Sequence, residues 1–346
     1  MKISFKNDYA EGAHPMILEA LMRTNAVQQA GYGNDSYSAA AKELIKNKIE
    51  NPEAQIFFVS GGTQANMLVI GTLLRTYQSV IAPETGHIAD NETGAIEAVG
   101  HKIHLAPATN GKITPESIAD FATRYTNYPH QVQPRLVYIT NATEIGTIYT
   151  LAELKAIYEC CQAHNLLLFM DGARLGSGLN AEDNDIQWKD LARYTDVFYI
   201  GATKNGGLLG EAIVFNKPAL ADGFEYYLKQ QGALLAKGRL LGLQFLTLFE
   251  NGLYDALALH ANQQMKRIKE AFVANGYTLL SDTCTNQLFP ILTHTQIAAL
   301  EQQFDFYQWQ KIDETHTAIR LISSWATTDA QVDTLIQAIQ LLSVAK

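Results

Sequence analysis

"LLLFMDGARLGS", residues 166–177, runs five apolar residues into Asp171 and follows them with Gly172, Ala173 and Arg174. The apolar run has strand length and reads as a buried strand. An acid and a base standing where such a strand emerges have two readings. They are turn charges facing water, or they belong to a site at the strand's carboxyl end.

The surrounding chain repeats the pattern. Strand-like segments fall at 55–60, 79–82, 101–106, 135–140, 196–202 and 211–215. Helix-like segments fall at 15–30, 37–50, 62–76, 88–99, 115–125 and 151–165. Alternating strands and helices imply an α/β fold, a mostly parallel sheet covered by helices on both faces. In such sheets ligands bind beyond the carboxyl ends of the strands. Past residue 216 the pattern changes to a long helical stretch, broken at Asn251-Gly252. Short strands follow in "YTLLS", "QLFPIL", "DFYQWQ" and "TAIRLIS", and a final amphipathic helix covers 329–343. This is a smaller α+β C-terminal domain. The expected division is an N-terminal segment, 1–30, packing with the small domain, then a large domain, 31–240, and a small one, 241–346.

Composition narrows the class. The chain has 346 residues, 47% of them hydrophobic and 18% charged, enough for a sizeable core without staples. The formal net charge of −9 argues against a nucleic-acid partner. "KELIKNKIE" (42–50) is mixed in sign and reads as a solvated helix face. Three cysteines form no disulfide framework, and no metal-ligand spacing appears, so no metal is expected. "MKISFKNDYAEG" lacks the apolar region of a signal peptide. The most apolar window, 56–74, is broken by SGGTQAN, which excludes a membrane span there. The expectation is a cytoplasmic protein.

Three motifs carry chemistry. In "VSGGTQANML" (59–68) Gly61, Gly62 and Thr63 join a strand to a helix. Unpaired N–H groups and the helix dipole make such a start an anion site, although a Thr-capped helix looks the same. Neither GxGxxG nor Gly-Lys-Ser/Thr is present. In "VFYIGATKNGGLLGEAIVF" (197–215) an uncharged strand leads to Thr203 and Lys204. A lysine there is either surface or a desolvated amine able to form a Schiff base. Asp171 is the third. Pyridoxal 5′-phosphate (PLP) requires a lysine, an acid for its pyridine nitrogen and an anion site. The chain supplies turn, acid and lysine in that order, each at a strand's carboxyl end.

The order SGGTQAN, DGAR, TKNGG resembles fold type I PLP-dependent enzymes, the aspartate aminotransferase-like fold. The resemblance is closest to the low-specificity threonine aldolase and β-eliminating lyase family, and runs from "SFKNDYAEGAHPMILEAL" to "IRLISSWATT". It implies that Lys204 is the Schiff-base lysine, Asp171 the partner of the pyridine nitrogen, and Arg174 a contact near the cofactor's phenolic oxygen and the substrate. It implies that Gly62 and Thr63 bind phosphate, that His87 stacks on the ring, and that Arg320 grips the substrate carboxylate. Lys237 matches a basic residue that reaches the phosphate across a subunit interface. Two positions depart from the family. Asn7-Asp8-Tyr9 stands for Ser-Asp-Thr, leaving Asn7 as a carboxylate contact. "NATEIGT" (141–147) lacks a second histidine, leaving Glu144 or His87 as the base at the β-hydroxyl. The implied activity is cleavage of L-threonine or L-allo-threonine, β-hydroxy amino acids, to glycine and an aldehyde by a homodimer or homotetramer. β-Elimination and transamination use the same cofactor site. A non-catalytic protein that binds a phosphorylated ligand is the alternative of another class.

Overall fold

A computed structural model describes residues 2–344. Its centre is a seven-stranded sheet. After a two-residue strand β1 (Ile3–Ser4) come β2 (Gln55–Val59), β3 (Gln78–Pro83), β4 (Lys102–Ala106), β5 (Gln133–Thr140), β6 (Leu167–Asp171), β7 (Val197–Gly201) and β8 (Glu211–Phe215). The order across the large sheet is β2-β8-β7-β6-β5-β3-β4. β8 pairs antiparallel with both β2 and β7, and every other pairing is parallel. Six strands therefore point one way and β8 alone is reversed. The carboxyl ends of six strands and the start of β8 share one edge.

Both faces are buried, which explains the near-continuous apolar runs of β6, β7 and β8. Side chains alternate between two cores. Ile139, Leu168, Met170, Phe198, Ile200 and Val214 pack on one side. Tyr138, Phe169, Val197, Tyr199, Ile213 and Phe215 pack on the other, against the helix Gly62–Leu73. Local signals set the flanking helices. Thr114 caps Pro115–Arg124, which begins with proline, and Thr150 forms a capping box with Glu153 for Leu151–Ala163.

A third core unites Phe5 with Ile268, Phe272, Leu288, Leu292, Ile319, Leu321 and Leu335. Its strands are β9 (Gln287–Leu288), β10 (Ile291–Thr293), β11 (Phe304–Asp305), β12 (Tyr307–Lys311) and β13 (His316–Ile322). β13 pairs antiparallel with β9, β10 and β12, and β1 pairs with β11. The helix Leu253–Ala274 starts in the large core, at Tyr254 and Leu257, and ends in the small one, at Ile268 and Phe272.

Several expectations shift in detail. The first helix stops at Thr24. The segment 88–99 is two single turns, His87–Asp90 and Ala95–Ala98, divided by Gly94 in the left-handed region. "YTLLS" makes only an isolated bridge, Leu279 to Pro290. Helices Phe224–Gln230 and His294–Leu300 are additional. The expected division at 241 falls inside the helix Arg239–Glu250, whose Phe245 and Leu248 belong to the large core. The first thirty residues are shared, Phe5 with the small core and Ala13 and Ile17 with the large.

The edge of the sheet is tight where Asp171 leaves it. A Cβ on Gly172 would lie 1.8 Å from the Tyr199 carbonyl oxygen, and one on Gly201 would lie 2.6 Å from the Ala173 carbonyl oxygen. Gly172→Ala forces β6 and β7 apart and is expected to destabilise the fold by about 3 kcal/mol or more. Denaturant unfolding checks this, and an unchanged midpoint would refute the close-approach argument.

Candidate active site

Asp171 forms the floor of the site. Its carboxylate is 1% exposed and accepts four hydrogen bonds. Tyr138 Oη on β5 and Asn66 Nδ2 donate to Oδ2 at 2.6 and 3.2 Å. Tyr199 Oη on β7 and the Ala173 N–H donate to Oδ1 at 2.5 and 2.9 Å. Burial and the neighbouring carboxylate push both tyrosines well above their usual range, so both remain protonated donors.

The anion turn stands above this floor. Gly61, the N-cap of the helix Gly62–Leu73, offers no side-chain cap. A Cβ on Gly62 would lie 3.0 Å from Tyr199 Oη, so glycine brings the helix start down onto the acid's own hydrogen-bond partner. Ser60, Gly61, Gly62, Thr63, Asp171, Thr203 and Lys204 all line one cavity of about 340 Å³. Among the described residues, Lys204 Nζ has no hydrogen-bond or ion-pair partner. Burial, then the nearby positive charge of Arg174, lower its affinity for a proton.

Glu92 and Glu144 also line the cavity. Glu92 Oε1 takes His87 Nδ1 at 2.8 Å and Asn66 Nδ2 at 2.7 Å, so one chain of bonds runs from His87 through Glu92 and Asn66 to Asp171. Glu144 Oε1 accepts from the His87 N–H at 2.9 Å and Thr140 Oγ1 at 2.8 Å, and its buried Oε2 has no partner. Burial raises the Glu144 carboxyl to about 7.

The remaining predicted residues divide. Arg174 lines the cavity and forms a two-pronged ion pair with Asp8, Nε to Oδ2 at 2.7 Å and Nη2 to Oδ1 at 3.1 Å. Burial opposes the charge on both, yet each holds the other ionised, and Asn286 adds a bond to Asp8 at 2.9 Å. Asn7, expected to meet a carboxylate, instead turns its Oδ1 back to the Tyr9 N–H at 3.0 Å and does not line the cavity. Of its neighbours, Tyr9 lines the cavity mouth and Asp8 is buried against Arg174. Arg320, on β13, lies over Trp309 and Tyr307 at 4.6 and 5.0 Å, with its buried Nε unpartnered. Burial and then the like charge of Arg174 lower Arg320 to about 10. Lys237 is exposed and is not part of this chain's cavity.

Asp8, Asn66, Glu92, Tyr138, Tyr199 and Glu211 are the cavity's supporting residues that motif reading passed over. A signal existed for Glu211, a charge opening the apolar run "EAIVF". Asp8 stood beside the residue that was singled out.

With the fold and cavity in view, the comparisons are specific. A family model described as beta-eliminating lyase matches residues 7–295. The low specificity L-threonine aldolase of Pseudomonas aeruginosa is 35% identical, over 98% of this chain and 97% of the relative. The structure of Leishmania major threonine aldolase matches with a TM-score of 0.96 and 44% identity, covering 99% of both chains. Serine palmitoyltransferase of Sphingomonas wittichii, 15% identical over 99% of this chain and 87% of its own, shares the fold with a TM-score of 0.73. The fold is the α/β, type I architecture of PLP-dependent enzymes. The chain belongs to the beta-eliminating lyase family, in the company of threonine aldolases.

The Asp8–Arg174 pair is buried, and its energetic weight lies in what is left when half is removed. Asp8→Asn strands the guanidinium and is expected to cost about 3–5 kcal/mol in chemical denaturation. A loss below 1 kcal/mol would show that the pair does not anchor the N-terminal segment.

Proposed function

We propose that this chain is a PLP-dependent carbon–carbon lyase that cleaves L-threonine and L-allo-threonine to glycine and acetaldehyde. The observation that carries the reading is Lys204, an amine without a partner among the described residues that shares one cavity with Asp171 and an uncapped helix start. The residues present fit the cofactor. The open N–H groups before the helix Gly62–Leu73 and Thr63 suit a phosphate, Lys204 Nζ is free to hold the cofactor, and Asp171 is a buried acceptor for a ring N–H. That N–H would replace one of the donors now on Asp171, of which Asn66 is the longest at 3.2 Å. When bound, PLP supplies a protonated ring that accepts the electron pair of a breaking Cα–Cβ bond.

The chain's own groups do the rest. Arg320 takes the substrate carboxylate, its planar fork giving two charged hydrogen bonds worth roughly 1.5–3 kcal/mol each. Arg174, fixed by Asp8, presents a second positive group to the cavity. Glu92 holds His87 by Nδ1 and so sets the ring that would stack on a bound cofactor. Glu144 Oε2 takes the β-hydroxyl proton. The Cα–Cβ bond then breaks, the aldehyde leaves, and a proton delivered to Cα completes glycine, with no net gain or loss of protons. A carboxyl at about 7 suits this work, because near neutral pH it is ionised often enough to accept and acidic enough to give back. The protein is read as a cytoplasmic homodimer or homotetramer, in which Lys237 would extend toward the partner's phosphate site. Among the described residues no helix is long and apolar enough to cross a membrane.

Incubation with L-threonine and L-allo-threonine is expected to yield acetaldehyde and glycine in equal amounts. Lys204→Ala should abolish both products and leave no borohydride-reducible adduct. Pyruvate with ammonia, and no aldehyde, would replace this reading with β-elimination, and keto acids would replace it with transamination.

Glu144 predicts a pH dependence. Its raised carboxyl is protonated and idle as a base below about 7, so kcat should climb as pH rises through that value. Glu144→Gln should lower kcat by about 10²–10⁴ and flatten that limb. A mutant that keeps the wild-type limb would move the base to His87.

A further inference from the structure

Glu211 opens β8, the reversed strand, between the two loops that build the site. Its backbone pairs with Val59, just before the Ser60–Thr63 turn, and with Gly201, just before Thr203 and Lys204. The residue is 4% exposed and lines the cavity. Thr203 Oγ1 donates to Oε1 at 3.1 Å, and Oε2 is buried without a partner. By strand alternation Glu211 shares the face of Ile213 and Phe215, the face on which Tyr199 packs and which the helix Gly62–Leu73 covers. No cation lies within ion-pair distance of it among the described residues. A buried carboxylate without a cation is costly, and one beside a phosphate is costlier.

We propose that Glu211 is a cofactor-binding residue that works as a neutral carboxylic acid, donating the proton on Oε2 to the phosphate of PLP. The inference rests on the cofactor reading above. A protonated carboxyl is a donor, whereas an ionised one offers only lone pairs to an oxyanion. The charged and titratable groups facing it agree with a retained proton. Asp171 at the end of β6 opposes ionisation of Glu211, and Tyr199 on β7 stays neutral. Lys204 favours ionisation, as do the Thr203 and Ala202 hydrogen bonds, and burial, the largest influence, outweighs all three, so that the carboxyl is raised to about 8. At neutral pH the donor is present. As pH rises through about 8 the acid ionises, the donor is lost and repulsion replaces it.

The test measures the Kd of PLP, and of pyridoxal, which lacks the phosphate, between pH 7 and pH 9, for the wild type and Glu211→Gln. Glutamine keeps a donor and cannot ionise. The wild-type Kd for PLP is expected to rise about tenfold over that range relative to the variant. Pyridoxal should show the same pH dependence in both proteins. Parallel PLP curves would overturn the proposal, as would an equal extra loss for pyridoxal, which would place the proton between Glu211 and Lys204. Should the variant not fold, the wild type alone decides. A PLP-to-pyridoxal affinity ratio that shrinks about tenfold supports the assignment, and a constant ratio refutes it. If neither probe binds, the cofactor reading itself falls. If both bind without the pH difference, only the part given to Glu211 does.

Discussion

The Asp171 carboxylate collects donors from β5, β7, the helix Gly62–Leu73 and its own turn. A buried carboxylate must be satisfied on both oxygens, and here the donors come from four separate segments around the cavity. That requirement fixes the heights of the three elements relative to one another. It explains why Gly62 lies under Tyr199 and why Gly172 tolerates no side chain. The carboxylate is therefore both a chemical group and the knot that ties the strand ends together.

Most of the large sheet was legible in the sequence because its strands are buried on both faces. A strand covered twice becomes an uninterrupted apolar run, and "RLVYIT", "LLLFM", "DVFYIGA" and "EAIVF" each coincide with an observed strand to within two residues. The reversal of β8 was not legible, since direction leaves no mark on composition. The short helices at 87–98 and 294–300 were blurred for a related reason. Helices of one or two turns are too brief to show a period of 3.6 residues, and glycine geometry or a cap decides them locally. The division expected near residue 241 falls within Arg239–Glu250, most of whose residues are buried, so its pattern carries no sign of which core receives it.

For the site, residues that announce themselves by breaking a pattern were found. Asp171 and Lys204 each stand at the end of an apolar strand, and both line the cavity. The supporting residues were hidden because their polarity is spent inside the protein. Tyr138 and Tyr199 look like core aromatics, and packing is half of what they do, with the hydroxyl serving Asp171. Glu92 reads as an ordinary loop acid until His87 and Asn66 are seen to converge on it. Asp8 and Asn7 are neighbours of similar shape, and only the turn made by Asn7 on Tyr9 shows which one faces Arg174. Such choices depend on the path of the backbone, which a motif does not encode.

The helix Leu253–Ala274 spans 22 residues, about 33 Å. Its first turn is bonded to the lysine loop: Asn205 Nδ2 donates to the Tyr254 carbonyl at 2.7 Å, and Tyr254 Oη donates to the Gly201 carbonyl at 3.0 Å. Its far end lies in the core that holds the flanks of Arg320, Ile319 and Leu321. The helix is thus a beam that joins the lysine loop to the small core. A movement of the small core is therefore carried along this beam to the lysine loop rather than absorbed between the two cores.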